Sequence, residues 1–297
     1  MTYCVAIRLD AGLVFLSDSR TNAGVDQIST FRKMTVFERQ NDRVMVLLTS
    51  GNLAISQAAR KWLSERSSAD GTTLWSAKTM GDAVNCVSDA IRAVYARDAE
   101  QLKKFGVDFN CSFLFGGQIG DEPPRLFQLY SAGNFIEATP ENPYFQIGEA
   151  KYGKPIIDRV VTCSTPLDEA AKCALISMDS TLRSNISVGL PLDLLVYEVN
   201  TLQVTRFTQI DRNNQYFAMI QNTWGQRLRQ VFGEIPNPNW SAQTGDGPHA
   251  LRVESAEASN AASAPPRAPV PPDAPANENA AKPIQTVAQN ARPDQPR

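Results

Sequence analysis

Tyr3, Val5, Ile7 and Leu9 alternate with Cys4, Ala6 and Arg8 at the start of the chain, the period-two pattern of a strand. The turn-forming "DAG" leads into "LVFLSDS", and the two runs predict a hairpin. "MTVFER" and "RVMVLLTS", separated by "QND", predict a second. Both faces of these strands are largely apolar, so each is expected to be covered on two sides. The period then changes. "NLAISQAARKWLSER" places Leu53, Ala54, Ala58 and Leu63 at helical intervals, and "DAVNCVSDAIRAVYARDAEQLKKFG" does so with Ala83, Val87, Ala90, Ile91 and Val94 until Gly106 ends it. Strands return in "CSFLFGGQ", "RLFQLYSA" and "NFIEAT". "LFGGQIGDEPP" precedes no helix and reads as a turn. Helices follow in "YGKPIIDRVV" and in "PLDEAAKCALISMDSTLRS", with Pro166 in the opening turn of the latter. "LDLLVYEV" and "LQVTRFTQI" form a last strand pair before a final helix over "NNQYFAMIQNTWGQRLRQVF". This order predicts an α+β fold, a four-layer αββα sandwich of two stacked, mainly antiparallel sheets with helix pairs outside.

Composition divides the chain in two. Beyond about Gly245 it turns into Ala, Pro, Asn, Gln and Ser with almost no aromatic or branched apolar residue. Such a segment buries too little apolar surface to offset the entropy of ordering it. The expected organisation is a folded domain over 1–234 and a Pro/Ala-rich disordered tail over 235–297. The net charge is −2 and the basic residues are scattered, which argues against a nucleic-acid or anionic-membrane surface. No apolar run is long enough to span a bilayer, and Asp10 falls where a signal peptide would be apolar, so a cytoplasmic protein is expected. The five cysteines are spread out with no C-x-x-C spacing, as small core residues would be.

The single histidine, His249, lies in the tail, which leaves a Ser-His-Asp or Cys-His arrangement without a base and a zinc site without an imidazole. No phosphate-cradling glycine motif follows a strand. No cofactor or metal is expected. What remains is the opening itself. Thr2 follows the initiator Met, and a small second residue favours removal of that Met. A free N-terminal threonine carries nucleophile and base on adjacent carbons, because its α-amine titrates near neutrality and can take the hydroxyl proton. A nearby lysine would favour the alkoxide over the ammonium, and an aspartate would hold that lysine in place. Lys33 and Asp18 are the candidates, since the hairpin brings the end of the second strand back toward Thr2. The residue types alone favour the plainer reading, a surface Asp, a surface Lys and a second-position Thr of no consequence.

An N-terminal Thr opening a strand, "SDSR" closing the next, "RK" soon after and "TSG" before a helix together resemble proteasome β-subunits and HslV, which are N-terminal-nucleophile hydrolases. "MTYCVAIRLDAGLVFLSDSRTNAG", "STFRKM", "IGEAKYGKPI" and "DSTLRSNISVGLPLDLLVY" are most similar to the Anbu family of proteasome-related bacterial proteins. The resemblance covers 1–234 and implies Thr2 as nucleophile, Asp18 as its acidic partner and Lys33 as the activating lysine. Ser50 and Gly51 fall where a backbone N–H forms the oxyanion hole. Ser184 and Ser187 fall where proteasomes carry an Asp and a Ser that hold the N-terminal amine, so the Asp is missing. Glu149 stands where they have a Ser beside the nucleophile, and Arg20 is expected in a structural ion pair. The resemblance further implies a homo-oligomer, a ring or an open spiral, acting on peptides or unfolded protein. It leaves any unfoldase partner unidentified. The competing readings are a small-molecule amidase on the same fold and a catalytically silent scaffold subunit.

Overall fold

The computed structural model describes residues 2–22, 28–68 and 70–238. The opening hairpin is β1 (Tyr3–Leu9) and β2 (Gly12–Asp18), followed by a short ribbon of β3 (Arg20–Asn22) and β4 (Ile28–Thr30). The second hairpin is β5 (Met34–Arg39) and β6 (Arg43–Gly51), and two helices follow, α1 (Leu53–Glu65) and α2 (Met80–Lys104). Four strands come next: β7 (Cys111–Ile119), β8 (Arg125–Leu129), β9 (Phe135–Glu137) and β10 (Tyr144–Gly148). A 3-10 turn (Ala150–Tyr152) leads into α3 (Lys154–Val160) and α4 (Leu167–Ser184), then β11 (Leu192–Glu198), β12 (Arg206–Ile210) and α5 (Gln215–Glu234).

The strands form two five-stranded antiparallel sheets, in the orders β10-β1-β2-β11-β12 and β5-β6-β7-β8-β9. Alternation along β1 explains the layers. Tyr3, Val5, Ile7 and Leu9 pack with Ala170, Ala174 and Met178 of α4 and Phe217 of α5, while Cys4 and Ala6 face Val44, Val46 and Leu48 of the other sheet. A third cluster joins Met45, Leu47 and Phe113 of the second sheet to Val87, Ile91 and Val94 of α2. Three apolar layers between four layers of structure make the αββα sandwich.

Most of the predicted elements are present, and the departures have local causes. The ribbon β3–β4 has too short a pattern to register as a strand pair. The α1 helix forms where expected, capped by Asn52, but buries Ile55, Ser56, Ala59 and Leu63 rather than the face through Ala54 and Ala58. Gly116 and Gly117 are not in a turn; they lie inside β7, where a Cβ on Gly117 would come within 2.1 Å of the Val44 carbonyl oxygen. Close approach of the neighbouring strand requires glycine there. Gly106 ends α2 as expected: its N–H donates to Lys103 and that of Val107 to Leu102, closing the left-handed cap. Four cysteines are buried and Cys163 is half-buried. No described helix is long and apolar enough to cross a membrane. The Pro/Ala-rich segment lies outside the described residues from 239 onward, and His249 with it.

Candidate active site

The β1–β2 register sets Cys4 opposite Ser17, which carries Asp18 to the head of β1. There the Tyr3 N–H donates to Asp18 Oδ1 at 3.1 Å. Lys33 arrives from the other sheet, just before β5, where its carbonyl accepts from the Thr49 N–H of β6 at 3.1 Å. Its Nζ donates to Asp18 Oδ1 and to the Arg20 carbonyl, both at 2.6 Å. The site therefore straddles the two sheets at one end of the space between them. The segment before β11 completes it, because the Gly189 N–H donates to Asp18 Oδ2 at 3.3 Å.

Asp18 is fully buried and Lys33 is 6% exposed. Burial raises the Asp18 carboxyl above the ordinary carboxylate range, and the Lys33 ammonium with the two backbone N–H groups opposes that rise. Three donors converge on one buried carboxyl and hold the Lys33 ammonium beside it. Thr2 is buried and lines a cavity of ≈ 380 Å³ together with Lys33, Arg20, Ser50, Gly51 and Asn52. Thr49 and Ser56 also reach it, so it extends from Thr2 to the start of α1.

Thr2, Asp18, Lys33, Ser50 and Gly51 are thus brought together. The remaining expected residues meet this group in other ways. Glu149 meets Thr2 through its backbone, its N–H donating to the Thr2 carbonyl at 2.7 Å, and its side chain does not line the cavity. Ser184 is exposed at the last turn of α4. Ser187 is buried but donates to Asn185 Oδ1 at 2.5 Å. Among the described residues no hydrogen bond joins either serine to Thr2. Arg20 makes no ion pair among the described residues; its guanidinium donates to the Ile186 carbonyl at 2.6 Å and lies over Gly189, whose missing side chain leaves the room.

The groups that sequence reasoning missed are mostly backbone: the Tyr3 and Gly189 N–H donors and the Arg20 carbonyl. A main-chain donor has no residue signature. Thr49 and Ser56 flank the "SGN" that turns β6 into α1, and only that strand-to-helix junction marked them. No group of three His, Cys, Asp or Glu side chains that could hold a metal occurs among the described residues.

Two antiparallel sheets between helix layers, with the first strand beginning in a cavity where the sheets part, is the proteasome-like N-terminal-nucleophile hydrolase fold. Solved structures of this kind superpose on the chain. An Anbu variant (Gly-1) from Hyphomicrobium sp. strain MC1 is 48% identical, with a TM-score of 0.75 over 80% of this chain and 100% of that one. Anbu, described as an ancestral beta-subunit, from Yersinia bercovieri is 49% identical, with a TM-score of 0.75 over 80% and 99%. The helical assembly of the Anbu complex from Pseudomonas aeruginosa is 47% identical, with a TM-score of 0.76 over 81% and 99%. With nearly half the residues shared across essentially the full length of each relative, the chain belongs to the Anbu family. Protein-family models and curated proteins give no match to it.

Proposed function

We propose that this protein is a threonine-type peptidase whose nucleophile is the hydroxyl of Thr2 after loss of Met1, acting on peptides or unfolded protein. The observation that carries the reading is the buried Lys33–Asp18 pair, Nζ to Oδ1 at 2.6 Å, on the cavity that Thr2 lines. In the proposed reaction the freed Thr2 amine takes the hydroxyl proton, and the oxygen attacks the peptide carbonyl. The Lys33 ammonium stabilises the developing alkoxide. Asp18 keeps that ammonium oriented. The backbone N–H groups of Ser50 and Gly51 are the proposed donors to the tetrahedral oxyanion. The carbonyl–nitrogen bond then breaks, the amine returns its proton to the leaving group, and an ester on Thr2 remains. Water activated by the same amine hydrolyses it.

The Anbu complex of Pseudomonas aeruginosa forms a helical assembly. A homo-oligomer that encloses its sites is proposed for this chain too, in the cytoplasm, with 1–234 as the folded domain and 235–297 as an appended tail. The deciding experiment treats the purified protein with an epoxyketone, which captures both the hydroxyl and the amine of one N-terminal threonine. An adduct on Thr2, located by mass spectrometry and absent in Thr2→Ala, is the expected result. No adduct in protein whose intact mass shows loss of Met1 would favour a scaffold role.

A further inference from the structure

Only two side chains of α5 are fully buried, Phe217 and Ile220, both in its first two turns. From Gln226 to Pro238 every residue is exposed. The apolar face nevertheless continues. Trp224 is half-buried, and Leu228, Val231 and Ile235 follow it at spacings of four, three and four residues, with Phe232 beside them. Their exposures are 49% for Leu228, 54% for Val231, 78% for Phe232 and 62% for Ile235. The rest of this stretch up to Ile235 is polar or glycine: Gln226, Arg227, Arg229, Gln230, Gly233 and Glu234. A helix that lay in water would be polar all round, whereas four-three spacing of apolar residues is the seam of one helix packed along another.

We infer that the exposed half of α5 is an interface that packs antiparallel against α5 of a second copy of this chain. Charge and register support that occupant. In an antiparallel pair the seam residues oppose each other in layers, Leu228 against Val231 and Trp224 against Ile235 of the second copy. The flanking positions beside the seam are Arg227 and Glu234, opposite in sign. The antiparallel register sets Arg227 of each copy alongside Glu234 of the other, whereas a parallel register would set Arg227 against Phe232. The face is self-complementary, as a two-fold contact requires. The chain's own remaining segment is a poor alternative: residues 239–297 hold Trp240, Leu251, Val253, Val270, Ile284 and Val287 as their only large apolar residues, scattered among Pro, Ala and polar ones. The inference does not depend on the chemistry proposed for Thr2. It rests on the homo-oligomer reading only in taking a second copy as the occupant.

Native mass spectrometry and sedimentation of the full-length protein at micromolar concentration test it. Leu228→Glu is expected to shift the assembly to smaller species. Arg227→Glu and Glu234→Arg are each expected to weaken association about tenfold, and the double exchange to restore it, a rescue that a merely structural role for either residue would not produce. Because these two side chains are exposed, the exchange variants also remain informative if Leu228→Glu misfolds. A parent protein that is monomeric would overturn both this inference and the homo-oligomer reading. An oligomer indifferent to Leu228→Glu and to the exchanges would overturn this inference alone. Loss of the assembly on deleting 239–297, with the stripe intact, would make the tail the occupant and overturn it as well.

Discussion

Gly148 stands directly against Thr2: a Cβ built on it would lie 1.8 Å from the Thr2 carbonyl oxygen. Its φ of +81° turns the end of β10 so that the next N–H, that of Glu149, reaches the same carbonyl at 2.7 Å. The height of Thr2 above the cavity is therefore set by backbone on the neighbouring strand.

Gly148→Ala should unseat Thr2 while leaving the sandwich folded. Left-handed strain alone costs about 1–3 kcal/mol, roughly 2–4 °C of melting temperature per kcal/mol in a domain of this size. Displacing the nucleophile costs reactivity as well, because misplacement of about 1 Å lowers rates by roughly two orders of magnitude. Thermal unfolding and labelling of Thr2 measure the two effects separately. A variant that labels at the parent's rate would show that this contact does not position Thr2.

The Lys33–Asp18 pair makes the opposite kind of demand, since both groups are buried and charged. Lys33→Ala strands an unpaired carboxylate and should cost about 3–5 kcal/mol, together with a loss of at least about 10²-fold in Thr2 reactivity. Lys33→Arg should also be poor, because a planar guanidinium cannot serve Asp18 and the Arg20 carbonyl as the compact ammonium does. In Lys33→Met/Asp18→Asn the charge is gone, and the Asn carbonyl keeps an acceptor for one of the two N–H groups that Asp18 serves, those of Tyr3 and Gly189. Its melting temperature should recover toward the parent's while its reactivity stays low. Recovery of both would remove the pair from the chemistry.

The layers of the fold were legible because alternation along β1, β2 and β6 is apolar on both faces, which only a strand buried between two layers requires. Thr2 became a candidate nucleophile because 1–234 has no histidine to act as base, whereas the roles expected of Asp18 and Lys33 rested on the resemblance. The places of Ser184, Ser187 and Glu149 came from the resemblance alone, and the segment from Ser184 to Gly189 reaches Asp18 through the Gly189 N–H. The α1 face was misread because alanines at 54 and 58 mimic an apolar stripe that Ile55 and Ala59 in fact form.

Asp193 supplies a pH-dependent test of stability. It is buried on β11 opposite Ser17, whose hydroxyl has no partner among the described residues, and its side chain accepts one long hydrogen bond, from Gln209 at 3.5 Å. Burial raises its carboxyl above the ordinary range, against the pull of Arg32. A raised value in the folded state means that folding favours the protonated form. The stability so contributed is present in acid and lost as the pH rises through the folded-state value. Asp193→Asn should accordingly melt higher than the parent at neutral pH, with the gain shrinking as the pH falls through the carboxylate range. A difference that is flat with pH would show that the carboxyl is not held in its raised state.

The charge around the Thr2 cavity predicts which side chains it admits. Arg20 and Lys33 line it, and no carboxylate does among the described residues. Asn52 spends its carbonyl on the Ala54 N–H as the cap of α1, which leaves its amide nitrogen available as a donor. Thr49 and Ser50 line the cavity as well. A lysine or arginine side chain entering beside Thr2 would meet like charge with no carboxylate in the lining to neutralise it, whereas Asp or Asn would find donors. In a panel of threonine-directed electrophiles varying only the residue that precedes the reactive group, the Asp and Asn members should label Thr2 about tenfold or more faster than the Lys and Arg members, the discrimination that roughly 1–3 kcal/mol of pocket contacts supplies. Raising the salt concentration should narrow the gap, because the cavity is open enough to be screened in part. Fastest labelling by the basic members would mean that an acceptor outside this lining, such as one from a neighbouring subunit, dominates the pocket.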